Sequence, residues 1–207
     1  MMGIEIMRSR ILVVEGKDEE LFFSGLINHL GLAENLQVLG IGGKDKLRRN
    51  LKALKSAPNF AQVVSLGLVR DADENPAAAL QSVRDALQAE NLPAPMHPME
   101  PVGNSPQVTI MILPDESTPG MLEDLCLRAV ARDPAMHCVV QYFQCLQDRD
   151  LIFLPHKMSK AKVHVFLASR SEPDRRLGEA AKAGYWPWDN EAFEQVKKFL
   201  KLLVRTD

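Results

Sequence analysis

Hydrophobic and polar positions in the first 130 residues form two alternating kinds of segment. Short runs of apolar, often β-branched residues are typical of buried strands, and longer stretches with an apolar position every three or four residues are typical of amphipathic helices. The predicted strands are Arg10–Glu15, Leu36–Ile41, Phe60–Arg70 and Gln107–Leu113. The predicted helices are Lys17–Leu30, Lys44–Lys55, Pro76–Glu90 and one within the MLEDLCLRAV segment that begins at Met121. This alternation predicts right-handed crossovers and a mostly parallel sheet.

The pattern becomes all-helical after Arg132. The predicted helices there are Pro134–Leu146, Ser159–Ser169, Arg175–Ala183 and Asn190–Val204. Within the second of these, the alternation of Val163 and Val165 also permits a strand. Between the predicted helix Pro76–Glu90 and the fourth strand, residues 92–106 hold five prolines, which predicts an irregular excursion or a β-hairpin arm.

These patterns predict an α/β fold: a Rossmann-like, mostly parallel four-stranded sheet flanked by helices, with a helical C-terminal extension. We expect the α/β domain to cover residues 8–132 and the extension to cover residues 133–207, packed on the domain as one compact unit. No repeat or low-complexity segment interrupts this organisation.

Amino-acid composition, net charge and the length of apolar runs limit the classes of function that we expect for the protein. The 207 residues are 46% apolar and 25% charged, which is ordinary for a globular protein. The net charge of −2 gives no global attraction to nucleic acid or to an anionic membrane, so any nucleic-acid contact must come from a local basic patch. The apolar run Ile11–Val14 is too short for a signal peptide, and no segment approaches the length of a membrane helix, so we expect a cytoplasmic protein with no membrane contact.

The three cysteines, Cys126, Cys138 and Cys145, form no CxxC pair. An odd number of unpaired cysteines fits reduced thiols rather than a disulfide framework. The adjacent His137 and Cys138 lack the ligand spacing of a structural zinc site, so we do not expect zinc.

Acidic residues follow two of the predicted strands. Glu15 ends the first strand, where Gly16 permits a tight turn, and Asp71 and Asp73 follow the third strand. The carboxyl ends of parallel strands form the crevice in which ligands bind. With no evident basic partner beside them in sequence, these carboxylates would repel one another, and a hard divalent cation would remove that repulsion. The sequence therefore predicts a site for Mg²⁺ or Mn²⁺, against the alternatives of a solvated turn acid at Glu15 and an Asx-turn with a helix cap at Asp71 and Asp73.

Three further groups of residues are weaker candidates. Gly42, Gly43 and Lys44 could present backbone N–H groups to a phosphate, although the segment is neither a P-loop nor a dinucleotide-binding motif, and a plain tight turn is the favoured alternative. Glu123 lies just beyond the fourth strand and is a candidate rim acid, or else a solvated helix residue. Lys160 is a candidate phosphate contact, or part of an ordinary charged helix face.

The second predicted helix is basic and offers a nucleic-acid flank that would hold the backbone without reading sequence. Its basic residues are Lys44, Lys46, Arg48, Arg49 and Lys52. An ordinary solvated helix surface is the slightly favoured alternative.

The order of the motifs is more specific than any one of them. A strand ending in Glu15-Gly16, then a strand ending in Gly42-Gly43, then a strand ending in Asp71-x-Asp73 resembles the TOPRIM domain of topoisomerases, primases, recombination proteins and OLD-family nucleases. The segments VEGKDE and ILPDESTPGMLEDL look most like the OLD-type and small stand-alone TOPRIM-like proteins of bacteria and archaea. The resemblance covers roughly residues 8–130.

The resemblance implies roles for individual residues. It implies that Asp71 and Asp73 bind Mg²⁺, and that Glu15 acts as a general acid or base or assists the metal. OLD-type nucleases have a further acid and a lysine, for which Glu123 and Lys160 are the nearest candidates. Asn75 stands where a DxDxD pattern has its third acid, which weakens a two-metal arrangement without excluding it.

The function implied is Mg²⁺-dependent phosphoryl transfer on nucleic acid, most simply by a nuclease. The alternative is a metal-dependent nucleic-acid or protein-binding module without turnover. Nucleotidyl transfer, as in primases, has no support from a nucleotide pocket. Because an ATPase accompanies OLD nucleases, the resemblance also implies a protein partner such as an ATPase, and homo-oligomer formation is left open.

Overall fold

The computed structural model describes residues 4–43, 46–149 and 157–205. Its centre is one four-stranded sheet in the order β2-β1-β3-β4, in which every neighbouring pair is parallel. The strands are β1 (Arg10–Val14), β2 (Gln37–Gly40), β3 (Ser65–Asp71) and β4 (Gln107–Leu113). The predicted α/β class with a parallel four-stranded sheet flanked by helices is confirmed.

Helices follow each strand and then continue to the end of the chain. They are α1 (Lys17–His29), α2 (Leu47–Lys55), α3 (Pro76–Ala89), α4 (Leu122–Ala129), α5 (Pro134–Gln147), α6 (Met158–Ala168), α7 (Leu177–Lys182) and α8 (Glu194–Val204). The segment that contains Val163 and Val165 is a helix and not a strand. No helix among the described residues has the length and apolar character needed to cross a membrane.

The predicted third strand is wrong at its beginning. Phe60–Gln62 form a 3-10 turn, and β3 begins only at Ser65. Asn59 adopts a left-handed conformation with φ of 70°, which asparagine tolerates better than most residues. The amides of Gln62 and Val63 then bond back to the carbonyls of Asn59 and Phe60, so this apolar stretch closes on itself before the chain enters the sheet.

Alternation along the strands divides the interior into two cores. Leu12 and Val14 face a core with α1 and α4–α8, whereas Ile11 and Val13 face a core with α2 and α3. The C-terminal helix α8 packs directly on β3 at Gly67, where an added Cβ would clash with a Leu203 methyl group. Helices α5–α8 thus contribute to the core that contains Leu12 and Val14, and the boundary near residue 132 stays a prediction.

The proline-rich segment 92–106 runs beside β4. The amide of Met99 donates to the carbonyl of Ile110, and Val102 forms an isolated antiparallel bridge with Val108. The segment is therefore the irregular excursion and not a β-hairpin arm. It covers part of the outer edge of β4, which would otherwise expose unpaired backbone groups.

Candidate acidic site at the carboxyl end of the sheet

The parallel register of β1 and β3 brings an acid and a base together. Val13 lies opposite Leu68, so continuing the two strands by two residues places Glu15 beside Arg70. Nη1 of Arg70 donates to Oε1 of Glu15 at 2.5 Å, and the two side chains are only 11% and 17% exposed. The expectation that the rim acids lack a basic partner is therefore wrong. The partner of Glu15 is its neighbour across the strands, 55 positions along the chain.

Asp71, the last residue of β3, lies half-buried near other carboxylates. Its Oδ1 accepts a hydrogen bond of 3.0 Å from the amide of Leu122, the first residue of α4. Burial raises the pKa of Asp71 well above its ordinary value, and the charges of Glu15, Glu19 and Glu123 raise it further. The Leu122 hydrogen bond acts in the opposite direction but is outweighed. Asp71 is thus held where its own negative charge is unfavourable.

Glu19, in the first turn of α1, belongs to the same group. Burial raises the pKa of Glu19, and the charges of Glu15, Glu123 and Asp18 raise it further, against a backbone hydrogen bond that lowers it. Glu19 lies four residues after Glu15, in the first turn of the helix that leaves the rim. That position is the signal that could have identified it from sequence.

Lys160 on α6 approaches these acids from the helical region. Its Nζ lies 3.3 Å from Oε1 of Glu123. Burial alone would lower the pKa of Lys160, but the charges of Glu123, Glu19 and Asp71 outweigh that effect and raise it. We call the acids Glu15, Glu19, Asp71 and Glu123, with the cations Arg70 and Lys160, the rim cluster.

Asp73 lies in a neighbouring cavity. Its backbone has a φ of 50° and exchanges two hydrogen bonds, of 2.8 and 2.7 Å, with Gly120. Its Oδ1 lies 3.5 Å from Nζ of Lys157. The cavity encloses about 780 Å³, and Arg70 and Asp124 also line it. Arg70 therefore belongs to the rim cluster and also lines the cavity that holds Asp73.

Asn75, at the position of a third DxDxD acid, has a structural role. Its Oδ1 accepts a 3.1 Å hydrogen bond from the amide of Ala78, and Pro76 occupies the first position of the helix. This is a standard N-cap, so α3 begins here without any contribution from Asn75 to the acidic cluster.

The glycine turn after β2 is present. Gly42 and Gly43 have φ values of 72° and 113°, and the amide of Gly43 donates to the carbonyl of Glu15 at 2.7 Å. That bond ties the loop to the end of β1 and favours the reading as a tight turn, since this amide already has an acceptor. Lys44 lies outside the described residues, and phosphate binding at this turn stays a prediction.

Metal binding also stays a prediction for Glu15, Asp71, Asp73 and Glu123. Across residues 4–43, 46–149 and 157–205, no three His, Cys, Asp or Glu side chains are grouped closely enough to hold a metal ion. Glu15 and Glu123 are instead engaged in the ion pairs with Arg70 and Lys160. The basic residues Lys46, Arg48, Arg49 and Lys52 of the second helical segment are exposed, which is compatible with both a nucleic-acid flank and a solvated surface.

Fold and site define an α/β protein with an acidic cluster at the carboxyl end of a parallel sheet. Over residues 9–205 the chain matches the family described as "Protein of unknown function (DUF3226)", and it belongs to that family. No curated protein matches the chain.

Solved structures of the C-terminal region of the OLD protein from Xanthomonas campestris pv. campestris are distantly similar. The form phased with iodine is 13% identical, with 96% of this chain and 97% of that chain covered and a TM-score of 0.45. The form phased with mercury is 10% identical, with 96% and 98% covered and a TM-score of 0.45. The form phased with platinum is 14% identical, with 86% and 92% covered and a TM-score of 0.42. Because the TM-scores lie below 0.5, the TOPRIM assignment stays a prediction.

Proposed function

We propose that the rim cluster, together with the adjacent Asp73, binds a divalent cation, Mg²⁺ or Mn²⁺, and that the protein carries out phosphoryl transfer on nucleic acid, most simply phosphodiester hydrolysis. The observation that carries this proposal is the environment of Asp71. Its carboxyl group is buried, and three further carboxylates raise its pKa in the same direction as burial does. Such a concentration of perturbed acids at the carboxyl end of a parallel sheet is typical of functional sites.

The chemistry of the donors suits a hard cation. All four acids offer carboxylate oxygens, the ligand type that Mg²⁺ and Mn²⁺ prefer. A dication would remove the repulsion that raises the pKa values of Asp71 and Glu19. Since no three of these side chains are grouped as placed, binding requires Glu15 or Glu123 to turn away from Arg70 or Lys160.

The remaining residues suggest a division of roles. In such a site a bound cation polarises a phosphate and stabilises the leaving oxygen. Asp71 and Asp73 would hold it, directly or through water, and Glu15 would accept or deliver a proton. Lys160 would contact a phosphate oxygen once Glu123 no longer holds it, which places it with Glu15 as a catalytic candidate.

A direct test uses pure protein with plasmid, single-stranded DNA and RNA in Mg²⁺ or Mn²⁺. We expect cleavage by the wild-type protein and none by Asp71→Asn, which removes the charge but keeps the acceptor for the Leu122 amide. Asp85→Asn is the matched control, because Asp85 is exposed on α3 and accepts a hydrogen bond from Gln81 on the same helix. Equal cleavage by wild type and Asp71→Asn would contradict the assignment of the site.

The second candidate is a binding module that keeps the cation and the nucleic acid or protein contact but has no turnover. The ion pairs of Glu15 with Arg70 and of Glu123 with Lys160 favour it, because they neutralise the acids internally. Salt-sensitive nucleic-acid binding without cleavage would support this candidate. If neither cleavage nor binding occurs, both nucleic-acid functions are excluded.

A further inference from the structure

The beginning of α6 contacts three acids that come from two different parts of the rim. Nζ of Lys157 lies 3.5 Å from Asp73, which follows β3. The hydroxyl of Ser159 donates to Oδ1 of Asp124, and Nζ of Lys160 lies 3.3 Å from Glu123. Four consecutive positions of the chain, 157–160, therefore place three side chains against three carboxylates.

The three contacts differ in kind. The other oxygen of Asp124 accepts a 2.8 Å hydrogen bond from the amide of Met121, so Asp124 caps α4 and serves as a structural anchor for Ser159. Asp73 and Glu123 instead each lie within ion-pair distance of a lysine ammonium. Ser159 thus fixes the end of the helix, while the lysines on either side of it neutralise two of the proposed metal ligands.

Both lysines can leave their partners without movement of the helix. Their side chains are 54% and 50% exposed, and an ammonium on a four-carbon stem is flexible and strongly hydrated. Ion pairs of such exposure are weak. A dication places two charges among the same carboxylates and competes well with two separate ammonium groups.

We propose that Lys157 and Lys160 are internal counter-cations, which occupy Asp73 and Glu123 in the metal-free protein and are displaced when a divalent cation binds. This inference rests on the proposed function, because it concerns the same acidic site.

The first experiment measures Mn²⁺ affinity by calorimetry in wild type, Lys160→Met, Lys157→Met and the double variant. Methionine keeps the length of the stem and removes the competing charge. We expect each single variant to bind Mn²⁺ roughly fivefold more tightly, and the double variant still more tightly, as loss of a weak competing ion pair predicts. Lys162→Met is the matched control, because Lys162 lies on the same helix and forms no ion pair with a described residue. It should bind as wild type does.

The second experiment follows the lysines themselves by acetylation and mass spectrometry, with and without saturating Mn²⁺. Release from an ion pair should increase the reactivity of Lys157 and Lys160 severalfold and leave Lys162 unchanged. Unchanged or reduced reactivity of both lysines at saturation would overturn the inference.

The outcomes separate this inference from the proposed function. If wild type binds Mn²⁺ and the methionine variants bind equally or more weakly, the lysines are not competitors, and the proposed metal site survives. If the double variant binds Mn²⁺ and wild type does not, the inference is supported in its strongest form. If neither binds, both the metal site and the inference are wrong.

Discussion

Two aspartates at the ends of neighbouring strands lie in opposite electrostatic environments. Asp71 ends β3, and burial and three carboxylates raise its pKa. Asp115 lies two residues beyond β4, where its side chain accepts hydrogen bonds from the amides and hydroxyls of Ser117 and Thr118 and from Arg128. Burial alone would raise the pKa of Asp115, but the bonds from Thr118, Arg128 and Ser117 outweigh it and hold this pKa well below its ordinary value.

The contrast shows how to separate a structural acid from a candidate functional one. The loop of Asp115 supplies the donors that its charge requires, so the carboxylate organises the turn between β4 and α4. Asp71 accepts a backbone hydrogen bond from Leu122, but burial and the charges of three carboxylates outweigh it. A carboxylate that is buried near other carboxylates is stabilised strongly by a bound cation from solution.

The largest expected difference is in cation affinity. Asp71→Asn should weaken Mn²⁺ binding by about 100-fold or more, as loss of a metal ligand predicts, whereas Asp115→Asn should change it less than about twofold. Isothermal titration calorimetry at constant pH measures both. Equal losses in the two variants would remove the distinction between the two aspartates.

The second difference is in the free energy of unfolding, where we expect the larger effect at Asp115 and the smaller effect at Asp71. Asp115→Ala should lower the free energy of unfolding by about 2 kcal/mol, because it leaves the donors of Ser117, Thr118 and Arg128 without their acceptor. Asp71→Asn should change it by less than about 0.5 kcal/mol or increase it, since a raised pKa means that the charge opposes folding. Urea unfolding measures both values, and a strongly destabilised Asp71→Asn variant would contradict the prediction.

The pH dependence of stability should have opposite signs at the two positions. The raised pKa of Asp71 means that the folded state binds the proton more tightly than the unfolded state does. The stability gained from this proton is therefore complete below the ordinary aspartate pKa range and is lost as pH rises through the raised pKa. The lowered pKa of Asp115 means that its charged form stabilises the folded state. This stabilisation is present above the ordinary aspartate pKa range and is lost as pH falls. In Asp71→Asn, the decline of the free energy of unfolding toward neutral pH should therefore be less steep by up to about 1.4 kcal/mol per pH unit. In Asp115→Asn, only the loss of stability at acidic pH should become less steep. An unaltered decline in Asp71→Asn, measured by urea unfolding from pH 4 to 8, is incompatible with this assignment.

The smallest effect is expected at Arg128. Its ion pair with Asp115 is 2.7 Å long, and the arginine is 44% exposed. Arg128→Met should cost about 0.5 kcal/mol, as expected for a partly exposed pair. It should raise the pKa of Asp115 and leave that of Asp71 unchanged in a carbon-detected NMR titration. A shift at Asp71 instead would show that the two environments are coupled.

Much of the fold could be predicted from local pattern. β4 has the predicted bounds Gln107–Leu113, because a fully buried strand is a continuous apolar run with clear ends. The stripe of Leu122, Leu125, Cys126 and Ala129 is buried as its helical spacing predicts. The beginning of β3 could not be predicted, because the left-handed turn at Asn59 depends on backbone conformation and not on hydrophobicity.

The site was less predictable, because its contacts depend on register. Glu15 and Arg70 are partners only when β1 lies beside β3 in one particular alignment, and sequence neighbours give no sign of it. Lys160 reaches Glu123 only because α6 packs against α4, which no local pattern encodes. Strand-end acids such as Asp71 are visible in the sequence, whereas their counter-charges come from the assembled fold.

The most direct test of the account is the pKa of the Asp71 carboxyl group, measured by NMR with and without Mg²⁺. We predict a pKa above the ordinary aspartate range in metal-free protein, and a clear decrease when Mg²⁺ is added. An ordinary pKa that does not respond to Mg²⁺ would contradict the claim that this corner of the sheet is a cation site.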